Sequence, residues 1–373
     1  MAFIISARRS PVIPKNGAFN SLEFEKIASP VIKAVLNDAQ VAPRDLDYVI
    51  IGNALGAGGN PARLCSLEAE IPDTCPAITI DSQCCSGIDA IGLAAAKIKS
   101  GDADLILAGG VESYSKAPLR AKVDQKKNIK PYNFAKFSPW ESEESNLIEN
   151  VFSNPNISKV PKCDQFKLAI ESHQKALKWN HPDIVPVKVN EKTVINDHFT
   201  RNLNLQTCLR IENYKNQKIN PCLIANSADG AGMVVVASKK YLKKKRSLKF
   251  FLKINNHYQF GYCALDPTKI PKKFLAHSFY NARQFNQIEW MESFAGQFII
   301  NKETFDLPDA TTNPYGGMLA MGHPVAATGA ILISRLFHGL KNIGNTKRFL
   351  NGLALIPSAG GLVSAIYLSG INS

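Results

Sequence analysis

The chain predicts an α/β fold built on a buried, largely parallel sheet, and three observations carry that expectation. Short apolar runs alternate with segments of helical period. The alternation breaks off for a stretch rich in Lys, Asn and Pro, then resumes. The 373 residues, 45% of them hydrophobic, suffice for one large core or two medium ones, and 20% charged residues argue against wholesale disorder.

Taken in chain order, Phe3-Ile4-Ile5 and Tyr48-Val49-Ile50-Ile51 read as short buried strands. Leu22 to Leu36 reads as a helix that Pro30 should kink. Ala77 to Ile80 reads as a strand, Ser86 to Lys99 as a helix, and Ala103 to Ala108 as a strand closed by Gly109-Gly110. Such alternation suits parallel strands covered on both faces. From Leu119 to about Arg246 the texture is that of an insertion, with a helix around Gln165 to Leu177 and an apolar strand at Met233 to Ala237. Beyond Lys249 the α/β texture returns: helices at Trp290 to Ile299 and Thr328 to Leu340, and a strand pair near Leu353 to Ile356 and Leu362 to Leu368. The expected division is residues 1–246, with an inserted loop domain at about 119–238, and residues 247–373.

Composition narrows the function classes. The 44 Lys and Arg against 31 Asp and Glu give a formal charge of +13, which favours polyanionic ligands such as a nucleotide cofactor with several phosphates. No nucleic-acid recognition motif with interleaved aromatics accompanies the Lys runs, so no nucleic acid is expected as partner. Lys243-Lys244-Lys245-Arg246 reads either as a solvated loop or as a phosphate contact. No apolar run is long enough to span a bilayer, and MAFIISARRSP lacks the apolar core of a secretory signal, so a cytoplasmic protein is expected. Eight cysteines without CxxC spacing suggest free thiols rather than a disulfide framework or a metal site.

Two of those cysteines, Cys84 and Cys85, sit where a strand gives way to an Ala-rich helix. A thiol there faces the positive end of the helix dipole, which favours the thiolate, and first-turn amides can point at a developing oxyanion. The plainer alternative is two small buried thiols. A nucleophilic cysteine needs a base. His323 stands out among the seven histidines because it lies in NPYGGMLAMGHPVAATGA, a Gly-rich turn entering a helix.

These segments occur together in one family. DSQCCSG, GDADLILAGGVESYSKAP, GGMLAMGHPVAATGA and a late AGG near Gly360 stand in the order found in thiolases, the acetyl-CoA acetyltransferases and 3-ketoacyl-CoA thiolases. SARRSP, GNPAR, FKLAIESHQKAL and DIVPV also resemble thiolase segments. The resemblance implies a five-layer fold of two similar βαβαβαββ halves with an inserted loop domain, assembled as dimers or dimer-based tetramers. It implies coenzyme A or acyl-CoA as substrate, with no permanently bound cofactor and no metal. It implies an acyl-enzyme on Cys84, His323 as the activating base, an oxyanion hole from the amides of Cys84 and Ala359, and substrate contacts by Ser227, Phe294 and Gly360. Cys85 is expected to pack.

The chain departs from the family pattern in two catalytic places. The Asn-Glu-Ala-Phe motif reads Met291-Glu292-Ser293-Phe294, and Met291 cannot position a water as an amide does. The late Cys-x-Gly-Gly-Gly motif aligns with Pro357 to Gly361, which puts Pro357 at the second catalytic cysteine. Acetyl-CoA C-acyltransferase activity is the family default, yet both changes count against its Claisen step. The alternative is a catalytically silent scaffold or regulatory subunit. The segment Ala225 to Ala231 resembles a shortened CoA-binding element, whereas nothing recognisable for acyl-chain choice appears around Leu147 to Ser158.

Overall fold

A computed structural model describes all residues except 57, 133–135, 141–146, 213–218, 246, 265, 267–269, 271–280, 345–348 and 373. In chain order the first part comprises β1 (Ala2–Arg9), β2 (Ile13–Pro14), α1 (Phe24–Asp38), β3 (Tyr48–Gly52), α2 (Pro61–Glu68), β4 (Ala77–Ile80), α3 (Ser86–Ser100) and β5 (Leu105–Glu112). Next come β6 (Arg120–Val123), β7 (Ile129–Tyr132), α4 (Leu147–Phe152), α5 (Pro155–Ser158), α6 (Lys162–Lys178), β8 (Val187–Val189), β9 (Lys192–Val194) and α7 (Leu205–Glu212). The remainder comprises β10 (Ala228–Ser238), α8 (Lys239–Lys244), β11 (Phe250–Gly261), β12 (Gln287–Trp290), α9 (Ala295–Thr304), α10 (Met318–Met321), α11 (Val325–Ile343), β13 (Leu350–Ser358) and β14 (Leu362–Asn372).

The main strands run in the order β12-β13-β14-β11-β1-β10-β5-β3-β4. The two halves join where Phe3 and Ile4 of β1 pair Lys253 and Leu252 of β11. Within the first half β3 is parallel to β4 and β5, while β10 is antiparallel to β5 and β1. The second half repeats this: β12 is parallel to β13, which pairs antiparallel with β14, itself antiparallel to β11. A parallel bridge from Ile288 to Thr312 stands where β4 stands in the first half. The sheet is therefore mixed rather than largely parallel, because each half closes on a final antiparallel hairpin-like pair.

Apolar patterning explains the layers. Helices α3 and α11 are apolar nearly all round and contact strands of both halves, so they form the central layer. Helix α1 buries one stripe, Ile27, Val31, Ile32 and Val35, against the outer face of the first half and runs through Pro30. Trp290, Phe298 and Phe305 pack the outer face of the second half. Five layers result: outer helices, sheet, α3 with α11, sheet, outer helices.

Three sequence expectations are corrected. The strand expected inside the insertion is part of β10, fully buried between β1 and β5, so the inserted segment ends ahead of Ala228 rather than at about 238. The strand expected to stop at Gly109-Gly110 continues to Glu112; a Cβ on Gly110 would lie 2.2 Å from the Ala326 carbonyl oxygen, so the glycine admits α11 rather than turning the chain. The helix expected over Trp290 to Ile299 is instead strand β12, a short loop and then α9. Trp290 is held in strand geometry by Asn313, whose Oδ1 accepts its N–H at 2.8 Å.

Candidate active site

Cys84 sits in a 3-10 turn over Gln83–Cys85 that leads directly into α3. Gln83 has φ +56°, a left-handed conformation that costs a non-glycine residue free energy. Local bonds hold it: Asp81 Oδ1 accepts the Gln83 N–H at 2.8 Å, and Ser86 Oγ donates to the Gln83 carbonyl at 2.6 Å. His323 occupies the matching place before α11, after Gly322 at φ +95°. Its N–H donates to the Asn226 carbonyl at 2.7 Å, which ties the turn to the segment entering β10.

The helix crossing sets the pair's separation. A Cβ on Gly87 would fall 2.7 Å from the Ala326 carbonyl oxygen and 2.8 Å from the Ala330 nitrogen. The first turns of α3 and α11 thus touch backbone to backbone, and the residues just ahead of them meet. Cys84 Sγ lies 3.1 Å from His323 Nε2. On the other ring nitrogen, Nδ1 lies 2.7 Å from Thr328 Oγ1. The tautomer with its proton on Nδ1 directs that proton at Thr328 and leaves the Nε2 lone pair for the thiol.

Burial dominates the electrostatics. It pushes the Cys84 thiol up to about 11, against the Ser358 hydroxyl and the Ala359 amide, which favour the thiolate. It lowers the His323 imidazole to about 4. Burial thus opposes the first-turn amides that favour the thiolate. Cys85 is buried, its Sγ 3.5 Å from the Ile356 carbonyl, and burial raises its thiol well above the usual value.

Cys84 and His323 share a cavity of about 120 Å³ with Ser227, Phe294 and Ala359, whose other walls include Tyr114, Ile148, Ile224, Gln297, Pro357 and Ser358. Gly360 is not among the lining residues; at φ +77° it turns the chain from β13 into β14. Met291 is buried in the central core and also leaves the wall. The Cys84 N–H expected in the oxyanion hole donates to Ser358 Oγ at 3.1 Å.

Several functional groups went unread in the sequence. Tyr114 bonds the Ser227 side chain, and burial raises its phenol well above the usual value, so it stays a donor. Leu147 and Ile148 line the cavity from a segment that matched nothing recognisable. Glu112, at the end of β5, accepts from Asn53 Nδ2 and the amides of Ala54, Leu55 and Ala326 at 3.0 to 3.3 Å, fastening the first turn of α11. Burial pushes its carboxyl up to about 7. Among the other described histidines, His338 bonds the Ala7 carbonyl and His257 bonds Asp89; His277 lies outside the described residues. Of the basic run, Lys245 donates to the Gln40 carbonyl and Arg246 lies outside the described residues. No described helix is long and apolar enough to cross a membrane, and no metal-binding cluster occurs among the described residues.

Known proteins share this architecture. The crystal structure of the Bacillus anthracis acetyl-CoA acetyltransferase matches with a TM-score of 0.86 over 99% of this chain and 98% of that one, at 24% identity, a likeness of fold. The cytosolic acetyl-CoA acetyltransferase of Rattus norvegicus is 30% identical over 96% of each chain. The beta-ketoadipyl-CoA thiolase of Pseudomonas knackmussii is 29% identical over 92% of this chain and 94% of its own. The family model for the thiolase N-terminal domain matches residues 2–240 and that for the thiolase C-terminal domain residues 256–369, so the chain belongs to the thiolase family.

Proposed function

We propose that the protein is an acyl-CoA acyltransferase that carries its acyl group as a thioester on Cys84, with His323 receiving the thiol proton. The observation that carries this reading is the 3.1 Å approach of Sγ to Nε2 inside a small, mostly apolar cavity. Both groups are neutral at rest. Attack forms the bond from Sγ to the thioester carbon while the proton passes to Nε2 and the carbonyl electron pair moves onto oxygen. Collapse breaks the carbon–sulfur bond to coenzyme A, whose thiolate takes the proton from Nε2. The Ala359 amide is one donor for the oxyanion, and the Cys84 amide becomes a second when Ser358 rotates away. The charge of +13 suits a ligand with three phosphate groups.

Carbon–carbon bond chemistry is the weaker half. Pro357, on the cavity wall, has no proton to exchange, which leaves deprotonation of an α-carbon to His323. A missing general base costs about a hundredfold to ten-thousandfold. Acyl transfer onto Cys84 is therefore expected to outrun Claisen condensation or cleavage by about that factor. The strand β4 ends the sheet, and Ile78 on it is exposed, so a dimer formed through this edge fits the reading; sedimentation velocity on the pure protein checks it.

Isotope exchange tests the acyl-enzyme. Labelled coenzyme A incubated with unlabelled acetyl-CoA or acetoacetyl-CoA, without any acceptor, should exchange in the wild type and not in Cys84→Ala. No exchange with a range of acyl-CoAs would leave the catalytically silent scaffold as the better reading.

A further inference from the structure

A buried carboxylate lies beside the turn that carries the nucleophile, and the acyl-transfer chemistry does not use it. Asp89, in the first turn of α3, is 6% exposed in a largely apolar layer. Its Oδ2 accepts from Ser82 Oγ at 2.5 Å and its Oδ1 from Ser364 Oγ at 2.6 Å, and His257 Nε2 lies 3.0 Å from Oδ1. A carboxylate only accepts, so that nitrogen carries the proton. Burial pushes the Asp89 carboxyl up, yet the bonds from His257, Ser364 and Ser82 outweigh it and hold the group below its ordinary value, so it stays charged. The helix makes room for this arrangement: a Cβ on Gly92 would fall 2.1 Å from His257 Nδ1, so the ring lies against the backbone of α3. Glycine is a poor helix former, and the nearby Ala90, Ala94, Ala95 and Ala96 show that alanine serves elsewhere in this stretch.

The network reaches the nucleophile through Ser82. Its hydroxyl donates to Asp89, and its N–H donates to Ser86 Oγ at 2.9 Å. Its carbonyl accepts the Cys85 N–H at 3.2 Å and the Ser358 hydroxyl at 3.4 Å. Ser358 in turn accepts the Cys84 N–H and favours the Cys84 thiolate. Ser82 thus ties together the start of the turn and the hydroxyl that serves the thiol. The Ser364 hydroxyl, on β14, bonds the other carboxylate oxygen and His257 instead.

We propose that Asp89, held by His257, is a positioning residue: through Ser82 it fixes the Gln83–Cys85 turn and the Ser358 hydroxyl, and so sets the reactivity of the Cys84 thiol. A carboxylate suits the task because it accepts from Ser82, Ser364 and His257 together, whereas an amide of the same shape turns a donor toward one of them. The inference rests on the reading of Cys84 as the nucleophile.

The test is the rate of Cys84 alkylation by iodoacetamide at a fixed pH, read by peptide mass spectrometry, in the wild type, Ser82→Ala, Asp89→Asn, the double variant and Ser364→Ala. Ser82→Ala and Asp89→Asn should each alkylate about tenfold more slowly, the worth of one hydrogen bond to the thiolate. The double variant should be no slower than the slower single, because both changes break the same link. Ser364→Ala takes a comparable bond from the same carboxylate, so it should lower the thermal midpoint similarly yet alkylate within about twofold of the wild type. Wild-type alkylation in Ser82→Ala, additive slowing in the double variant, or equal slowing in Ser364→Ala would overturn the proposal, the last by showing a network that serves the fold alone. If Asp89→Asn fails to fold, Ser82→Ala against Ser364→Ala still decides. Alkylation needs no acyl-CoA, so absence of an acyl-enzyme in the wild type counts against the function above and not against this inference.

Discussion

At the residue scale, the reactive pair is neutral because both members are buried. Cys84 near 11 and His323 near 4 mean that at neutral pH the thiol keeps its proton and the imidazole stays uncharged. A thiolate–imidazolium ion pair would instead make the thiolate prevalent from mildly acidic pH upward. Alkylation of Cys84 by iodoacetamide should therefore climb steadily from pH 6 to pH 9, roughly in proportion to the thiolate fraction, with no plateau. A plateau from about pH 6 would show the ion pair. Ser358→Ala removes a hydroxyl that favours the thiolate, so the variant should alkylate more slowly at each pH. Glycines and a helix start mark the turns that hold Cys84 and His323 in the sequence, but their pairing was expected only from the resemblance to thiolases. Their protonation was not legible there, since burial belongs to the assembled core. Tyr114 and Asp89 carried no local mark: one ends a strand region, the other looks like an ordinary helix residue.

At the element scale, function depends on how closely α3 and α11 cross. Gly87 leaves no room for a Cβ against Ala326 and Ala330. Gly87→Ala should destabilise the protein by about 1–3 kcal/mol, as overpacked cores do, and slow acylation of Cys84 by widening its approach to His323. Chemical denaturation and single-turnover acylation read the two effects; wild-type acylation in a folded Gly87→Ala variant would contradict the geometric argument. Helices α3 and α11 were readable from composition because both are apolar and both follow Gly- or Ser-bearing turns. The limits of β5 were not, since Gly109-Gly110 serves close helix approach, a reason visible only once α11 lies across the strand. The misplaced helix at Trp290 has the same kind of origin: Asn313, distant in sequence, fixes it in strand geometry.

At the scale of the whole molecule, Glu112 couples the site to stability. It joins the loop after β3, the end of β5 and the start of α11. Its carboxyl titrates at about 7 in the folded protein against an ordinary value of 4.5, because burial disfavours the charge. The folded state therefore binds this proton more tightly than the unfolded chain. Its contribution is fully present below about pH 4.5 and is lost as pH rises through 7. Denaturation midpoints measured across that window should show a smaller pH-dependent loss in Glu112→Gln than in the wild type; identical slopes would show that Glu112 is not the titrating group. The two-half architecture followed from repeated strand–helix texture. The mixed sheet did not, because buried parallel and antiparallel strands share the same apolar runs, as β10 shows by having looked like part of the insertion.

The central claim is that Cys84 accepts an acyl group. Intact-protein mass spectrometry after incubation with acetyl-CoA and acetoacetyl-CoA tests it directly, with Cys84→Ala and Cys85→Ala alongside. The account predicts one acyl adduct on the wild type and on Cys85→Ala, acetyl from acetyl-CoA and acetoacetyl from acetoacetyl-CoA, and none on Cys84→Ala. An adduct that persists in Cys84→Ala, or none on any of the three, would contradict it.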